Sequence, residues 1–109
     1  MNKYGAQKVH LDGMVFDSKH EANRWIELKY MERAHIIEKL ERQVPFELIP
    51  AQERNGKLTR ACKYIADFVY YDKEKGETVV EDAKGMRTDV YKIKKKMMLW
   101  EYGIEIKEV

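Results

Sequence analysis

The spacing of apolar residues along this chain predicts two helices. The first begins at Ser18 and runs to about residue 34, and the second follows Thr88 and ends at Gly103. Ser18 and Glu21 match the capping-box pattern of a helix N-terminus. Thr88 is a suitable N-cap, and Gly103 suits the position just past a helix C-terminus. The residues expected to face the core are Ala22, Trp25 and Leu28 in the first helix and Val90, Ile93, Met97 and Trp100 in the second.

Four further segments have the apolar runs or the alternation typical of β-strands. They are residues 46–49, 60–71, 77–84 and 104–107. The first lies between Pro45 and Pro50, which places it near an edge of the sheet, because proline cannot donate to a β-ladder. Residues 73–76 are a polar turn, so the second and third strands are expected to pair as a hairpin, and Gly85 ends the third strand.

Turn signals and polar stretches are expected to connect these elements. Asp12-Gly13 predicts a small hairpin within an N-terminal arm, residues 1–16, and Asn55-Gly56 predicts a second tight turn. Residues 35–40 are expected to connect the first helix to the first strand. The predicted order is therefore helix, strand, strand, strand, helix, strand.

This order predicts an α/β domain with a central mixed β-sheet flanked by two α-helices. A chain of 109 residues is long enough for one hydrophobic core and too short for two, so residues 1–109 are expected to form a single domain. The hydrophobic fraction of 44%, with two Trp, seven Tyr and three Phe, argues against disorder.

Charge and cysteine content indicate the setting rather than the function. The net charge is only +2, from 21 Lys and Arg against 19 Asp and Glu, and by itself does not indicate a nucleic-acid partner. The single cysteine, Cys62, excludes an internal disulfide and a cysteine-based zinc site and is typical of a reducing cytoplasm. The N-terminus lacks the apolar core of a signal peptide, and no segment approaches the ~20 apolar residues of a membrane helix. We therefore expect a cytoplasmic protein that does not enter a membrane.

Two carboxylates and an ammonium are predicted to meet at one edge of the sheet. Asp67 lies in the apolar run YIADFVYY, and Asp82 and Lys84 lie in the run ETVVEDAKG. Because side chains alternate along a strand, Asp82 and Lys84 project to the same side, next to Asp67 on the neighbouring strand. Hard cations such as Mg²⁺ bind carboxylate oxygens, and phosphoryl chemistry uses a metal beside a second positive charge. Glu81 competes with Asp82 for the acidic role, but it falls on the opposite face unless a bulge shifts the register.

Glu21 has two explanations. Helical spacing places it on the same stripe as Trp25 and Leu28, so its carboxylate points along the seam between the helix and the core. The capping box already accounts for a glutamate at this position. The two explanations are compatible, and Glu21 is a candidate contact for a metal or a water molecule.

Basic residues cluster at and after the end of the third predicted strand. Lys84, Arg87, Lys92, Lys94, Lys95 and Lys96 fall within thirteen residues. Such a run usually solvates the outer face of a helix, but beside a phosphate-cleaving site it becomes a candidate nucleic-acid contact. The candidate nucleic-acid-binding residues are Arg60, Arg87, Lys92, Lys95 and Lys96.

Five segments, taken in order, resemble the PD-(D/E)XK nuclease superfamily, which has the restriction-endonuclease-like fold. They are SKHEANRW, YIADFVYY, VVEDAKG, TDVYKIKKKMM and IEIKEV. The chain is most similar to a small phage and prophage family of that superfamily, from Phe16 onward. The resemblance implies a site for Mg²⁺ or Mn²⁺ that is held by Asp67 and Asp82. It also implies that Lys84 is the motif lysine and that Glu21 is a further metal or water contact.

These observations predict Mg²⁺-dependent hydrolysis of DNA phosphodiester bonds by an endonuclease, in phage or prophage DNA processing within the host cytoplasm. Lys84 is expected to activate the attacking water and to stabilise negative charge. DNA is the expected partner, with a homodimer or a phage protein as a second partner and no small-molecule cofactor. Two alternatives stay open: a non-catalytic DNA-binding module for phage replication, recombination or packaging, and a protein-interaction subunit whose carboxylates only hold structure.

Overall fold

A computed structural model describes residues 7–84 and 87–109 of the chain. The first six residues of the predicted N-terminal arm and Gly85, predicted to end the third strand, lie outside the described residues. Within the described part, the elements are β1 (Val9–Leu11), β2 (Met14–Phe16), α1 (Lys19–Arg33), β3 (Ile37–Ile49), β4 (Gln52–Arg54), β5 (Lys57–Thr59), β6 (Cys62–Asp72), β7 (Glu77–Asp82), α2 (Asp89–Tyr102) and β8 (Lys107–Glu108).

The main sheet is mixed and has the strand order β3-β6-β7-β8. β3, β6 and β7 pair antiparallel, and β8 pairs parallel to β7. The helices pack on opposite faces, because Val79 of β7 packs in the cluster that contains α1 and its neighbour Val80 packs in the cluster that contains α2. The prediction of an α/β fold with a mixed central sheet and two helices is therefore confirmed.

α1 forms where the capping pattern predicts it. The Ser18 Oγ accepts a hydrogen bond from the Glu21 backbone N–H at 3.1 Å, which satisfies one of the free donors of the first turn. Ala22, Trp25 and Leu28 are buried as expected. The Trp25 ring stacks on Phe68 of β6, with ring centroids 6.1 Å apart. Burial of this apolar face holds α1 against the sheet.

The caps of α2 are also confirmed, but the predicted buried face is wrong. The Thr88 Oγ1 accepts from the Tyr91 N–H, and Gly103 takes the left-handed conformation with φ 66°. Val90, Ile93 and Trp100 are 61%, 58% and 86% exposed, whereas Met98 is fully buried. Of the four predicted residues, Met97 is partly buried and packs against the core. Apolar residues surround most of the circumference of α2, so periodicity alone does not select the face that meets the sheet.

β3 is longer than predicted, because it begins at Ile37 instead of residue 46 and includes residues expected to form a connection. Its alternation is interrupted where Lys39 and Gln43 have positive φ of 57° and 55° and where the register shifts between Glu38 and Glu41. A bulge of this kind bends a strand and hides the two-residue period from sequence analysis. β3 lies at one edge of the sheet, as predicted, and this position tolerates Pro45.

Both predicted tight turns are present. Asp12-Gly13 and Asn55-Gly56 have positive φ at both central positions, which is the type I′ geometry that joins two strands. The second turn joins β4 to β5, a short hairpin that was not predicted. The boundaries differ elsewhere: β6 begins at Cys62, β7 ends at Asp82, and β8 spans only Lys107–Glu108 instead of residues 104–107.

Candidate active site

The candidate site lies where β6 and the end of β7 meet the first turn of α1. The two residues that follow β7 donate consecutive backbone N–H groups to two carboxylates. Ala83 donates to Asp67 Oδ2 at 2.7 Å, and Lys84 donates to Asp82 Oδ1 at 3.0 Å. Asp67 and Asp82 are therefore attached to the same short stretch of backbone.

The Lys84 ammonium joins three carboxylates from three segments. Its Nζ lies 2.8 Å from Asp67 Oδ1, 3.0 Å from Asp17 Oδ2 and 3.7 Å from Glu21 Oε2. Asp67 and Glu21 are each only 1% exposed, so a buried pair of like charges is held next to a single ammonium. Burial of two carboxylates is unfavourable without such a partner.

Two residues of β3 complete this cluster from the other side. Arg42 Nη2 donates to Glu21 Oε1 at 3.4 Å, and Gln43 Nε2 lies 3.4 Å from Glu21 Oε1 and 3.5 Å from Asp67 Oδ1. Gln43 reaches both carboxylates from a left-handed backbone conformation with φ 55°. Such a conformation inside a strand is strained for a residue other than glycine, and strain of this kind is concentrated at functional sites.

Asp82 is held separately from the Lys84 ammonium. The Tyr64 hydroxyl donates to Asp82 Oδ2 at 2.7 Å, and Arg87 Nη1 lies 3.2 Å from Asp82 Oδ1. Burial, followed by the hydrogen bond to Asp82, raises the pKa of Tyr64, so this hydroxyl stays a donor. The predicted alternation ends with β7 at Asp82, and Lys84 contacts Asp82 through its backbone N–H only.

Glu81 lies on the other face of β7, as alternation predicts, and is fully buried against α1. Arg24 binds it with two hydrogen bonds, Nε to Oε1 at 2.8 Å and Nη2 to Oε2 at 2.7 Å. The Tyr70 hydroxyl also donates to Glu81. Because its oxygens are already bound by these donors, Glu81 acts as a structural anchor for α1.

Lys84 carries a positive charge in this arrangement. Burial by itself lowers the pKa of the ammonium, but the hydrogen bond and the charge of Asp67, with further contributions from Asp17 and Glu21, raise it above its usual value. The same contact to Lys84 lowers the pKa of Asp17. Lys84 is thus suited to neutralise negative charge or to orient a water molecule, and it is not a free base.

The charge of Glu21 is disfavoured. Burial, followed by repulsion from Asp67, raises the pKa of the Glu21 carboxyl above its usual value of 4.5. A raised pKa means that the contribution of Glu21 to stability is fully present below its unfolded-state pKa and is lost as the pH rises through the folded-state value.

Replacing Glu21 by glutamine is therefore expected to stabilise the chain relative to wild type increasingly as the pH rises above the usual glutamate value of 4.5. The measurement is the free energy of unfolding in urea at several pH values, with a chelator present. Glu32→Gln is the matched control, because the hydrogen bond from Lys29 lowers the pKa of Glu32. This variant should therefore become less stable relative to wild type as the pH rises. If the difference in the free energy of unfolding between Glu21→Gln and wild type stays constant or falls as the pH rises, the raised pKa of Glu21 is wrong.

The candidate nucleic-acid contacts are divided between two places. Arg87, Lys92, Lys95 and Lys96 line one groove of about 590 Å³ beside α2, together with Tyr91, Leu99, Glu105 and Glu108. We call this the α2 groove. Arg60 is exposed on the segment between β5 and β6 and does not line the groove. Four of the five basic residues are therefore brought together.

Sequence analysis missed four residues that contact the candidate site: Asp17, Arg42, Gln43 and Tyr64. Asp17 directly precedes the N-cap of α1, which is a weak signal for a residue beside Glu21. Arg42 and Gln43 lie on a strand that the sequence does not reveal, because bulges interrupt its alternation. Tyr64 has no signal beyond its place on β6.

The carboxylates of the site determine whether it can hold the Mg²⁺ that the sequence predicts. Within residues 7–84 and 87–109, no group of three or more His, Cys, Asp or Glu side chains is arranged so that it could hold a metal ion. Mg²⁺, however, takes only one or two protein carboxylates and completes its shell with water and phosphate. Asp67 with Asp82 or Glu21 matches that requirement, so the residues present fit such a cation in kind and number.

Neither of the two helices within the described residues has the length and hydrophobicity needed to cross a lipid bilayer.

The model of one protein family, Protein of unknown function (DUF1064), matches residues 1–108. Since the match covers nearly the whole sequence, the chain belongs to that family. No curated protein and no solved structure matches the chain.

Proposed function

We propose that this member of the DUF1064 family is a metal-dependent DNA endonuclease with a restriction-endonuclease-like fold. The observation that carries the proposal is the pair of buried carboxylates, Asp67 and Glu21, that share the Lys84 ammonium. Clusters of buried, mutually perturbed titratable groups of this kind mark functional sites. The order of one helix, three antiparallel strands, a second helix and a parallel strand supports the fold assignment.

Asp67 and Asp82 would hold Mg²⁺ or Mn²⁺, with Glu21 as a further metal or water contact. A metal ion at this position would supply a bound water of lowered pKa and polarise a phosphoryl oxygen. Asp67 accepts the Ala83 N–H and Asp82 accepts the Lys84 N–H, so the two proposed ligands are held by consecutive backbone groups at the end of β7.

Lys84 would offset the negative charge that develops on the phosphate. Its raised pKa keeps the ammonium charged at neutral pH, which favours charge stabilisation over proton abstraction. Arg42 and Gln43 would keep the Glu21 carboxylate in place while Lys84 moves toward the substrate.

The α2 groove would bind the DNA backbone. Its Arg87 also contacts Asp82, so the basic surface is continuous with the proposed metal ligands. Contacts from Arg and Lys to phosphates supply most of the affinity for DNA and fix its position. This combination of site and surface supports the proposal of DNA cleavage, and the proposed setting in phage or prophage DNA processing rests on the resemblance of the sequence.

One observation favours a second candidate function, a DNA-binding module without catalysis. The Lys84 ammonium already contacts Asp67 and Glu21, and the Arg42 guanidinium also contacts Glu21, so both carboxylates have cationic partners without a metal. In that case the α2 groove would bind DNA, and the carboxylates would only hold α1 against the sheet.

Cleavage of labelled duplex, single-stranded, flap and four-way-junction DNA with Mg²⁺ or Mn²⁺ tests the proposal. We expect wild type to cut at least one of these substrates and Lys84→Ala to cut about a hundredfold more slowly, because an electrostatic contact to the transition state is lost. Addition of EDTA should abolish cleavage.

Thermal unfolding of each variant provides the control, since removal of Lys84 leaves buried carboxylates without their counter-charge. Lys84→Arg retains the charge and serves as the matched variant for stability. DNA binding without cleavage for every metal and substrate would support the non-catalytic module instead.

A further inference from the structure

The carboxylate of Glu108 is bound by three donors of α2 and the segment before it. Tyr91 donates its hydroxyl at 2.7 Å, Arg87 Nε lies at 3.2 Å, and Lys95 Nζ lies at 3.3 Å, all from Glu108 Oε2. One carboxylate oxygen therefore receives a phenol, a guanidinium and an ammonium together.

This set of donors is the set that binds a phosphate. Arg and Lys pair with phosphate oxygens, and hydroxyl donors add further hydrogen bonds. Burial, followed by the hydrogen bond to Glu108, raises the pKa of Tyr91, so its hydroxyl remains a donor at neutral pH. All three donors are partly open to solvent at one wall of the α2 groove and are accessible to a ligand.

The cluster lies next to the proposed metal ligands. The same Arg87 that binds Glu108 through Nε binds Asp82 through Nη1 at 3.2 Å. β8 pairs with β7 and places the backbone of Glu108 opposite that of Asp82. A phosphate in place of the Glu108 carboxylate would therefore contact Arg87, which also contacts the proposed metal ligand Asp82.

We propose that Arg87, Tyr91 and Lys95 form a phosphate-binding subsite for the DNA backbone and that the Glu108 carboxylate occupies it until DNA displaces it. The inference rests on the proposed function for its ligand, DNA, but not on cleavage. Glu108 acts as a built-in competitor that lowers the affinity of the α2 groove for DNA.

Competition has a measurable electrostatic consequence. In wild type, DNA must break the ion pairs from Glu108 to Arg87 and Lys95, and the released carboxylate then takes up a cation from solution. This uptake cancels part of the counterion release that drives DNA binding. Loss of the Glu108 charge should both tighten binding and steepen its dependence on salt.

Glu108→Gln tests this, because glutamine keeps the size of the side chain and a hydrogen-bond acceptor for Tyr91. We expect it to bind a fluorescent duplex about tenfold more tightly than wild type at low salt, since two ion pairs no longer compete. The slope of log K against log salt should become steeper by about 0.9. Fluorescence anisotropy in EDTA measures both without cleavage.

Glu105→Gln is the matched control. Glu105 lines the same groove, but within the described residues its carboxylate has no ion pair or hydrogen bond. Glu105→Gln also removes one negative charge but does not free Arg87 or Lys95, so it should change the affinity for DNA much less than Glu108→Gln does. In a Lys95→Gln background, the gain from Glu108→Gln should shrink markedly.

Equal affinities and slopes for Glu108→Gln and Glu105→Gln would overturn the subsite and leave Glu108 in an ordinary surface ion network. The nuclease proposal can fail independently of the subsite. If Glu108→Gln binds DNA more tightly but wild type does not cleave DNA, the subsite is supported and catalysis is refuted. If wild type cleaves DNA but Glu108→Gln does not change the DNA affinity, catalysis is supported and the subsite is refuted.

Discussion

Replacing Asp67 by asparagine is expected to lower the rate of DNA cleavage by about a thousandfold while the chain stays folded. The asparagine carbonyl can still accept the Ala83 N–H, which Asp67 Oδ2 accepts at 2.7 Å. What disappears is the charge that pairs with Lys84 and would bind the metal. Loss of this charge relieves the repulsion of Glu21, but it also leaves the asparagine NH₂ facing the Lys84 ammonium, so the two effects on stability oppose each other.

Single-turnover cleavage rates and urea unfolding curves, measured on the same preparations, separate chemistry from stability. Glu41→Gln is the matched control: Glu41 is an exposed carboxylate on β3 with no side-chain hydrogen bond or ion pair in the described part of the chain. It should cleave at the wild-type rate. An Asp67→Asn variant that cleaves as fast as Glu41→Gln would remove Asp67 from the proposed site.

Arg24→Met is expected to destabilise the protein by about 3 kcal/mol, because it leaves the buried charge of Glu81 without its main partner. Arg24 provides two hydrogen bonds to Glu81, and among the described residues the Tyr70 hydroxyl is the donor to Glu81 that remains once Arg24 is removed. The double variant Arg24→Met/Glu81→Gln should recover most of this loss, since no buried charge is left unpaired. Urea unfolding of the four proteins gives the coupling free energy.

The same double variant decides between Glu81 and Asp82 as the acidic residue of the site. If Glu81 only anchors α1, the refolded double variant should keep cleavage within about tenfold of wild type. A loss as large as that of Asp67→Asn, in a protein of recovered stability, would show that Glu81 belongs to the reacting centre.

Local signals explain how much of this fold the sequence predicts. Capping residues, the two type I′ turns and the αL glycine act over three or four residues, so Ser18, Thr88 and Gly103 mark the helix ends correctly. Alternation places Asp82 and Glu81 on opposite faces of β7, and the structure agrees. These features need no knowledge of what packs against them.

The candidate site was predictable only in part for the same reason. Glu21, Asp67 and Lys84 come together as the sequence predicts, but the Lys84 ammonium contacts Asp67, and it is the backbone N–H of Lys84 that contacts the Asp82 carboxylate. β7 ends at Asp82, so the position of Lys84 depends on the fold around it and not on strand periodicity. Arg42 and Gln43 enter the site from a bulged strand whose pattern is irregular.

The sequence by itself determined the caps, the turns, the order of the main elements and the acidic and basic residues available for chemistry. Each of these follows from contacts or conformations within a few residues. Only the tertiary structure decided that Trp100 faces solvent while Met98 is buried, and that Glu108 occupies a basic cluster. Those outcomes depend on packing between distant segments, and a side chain is buried only when another element covers it.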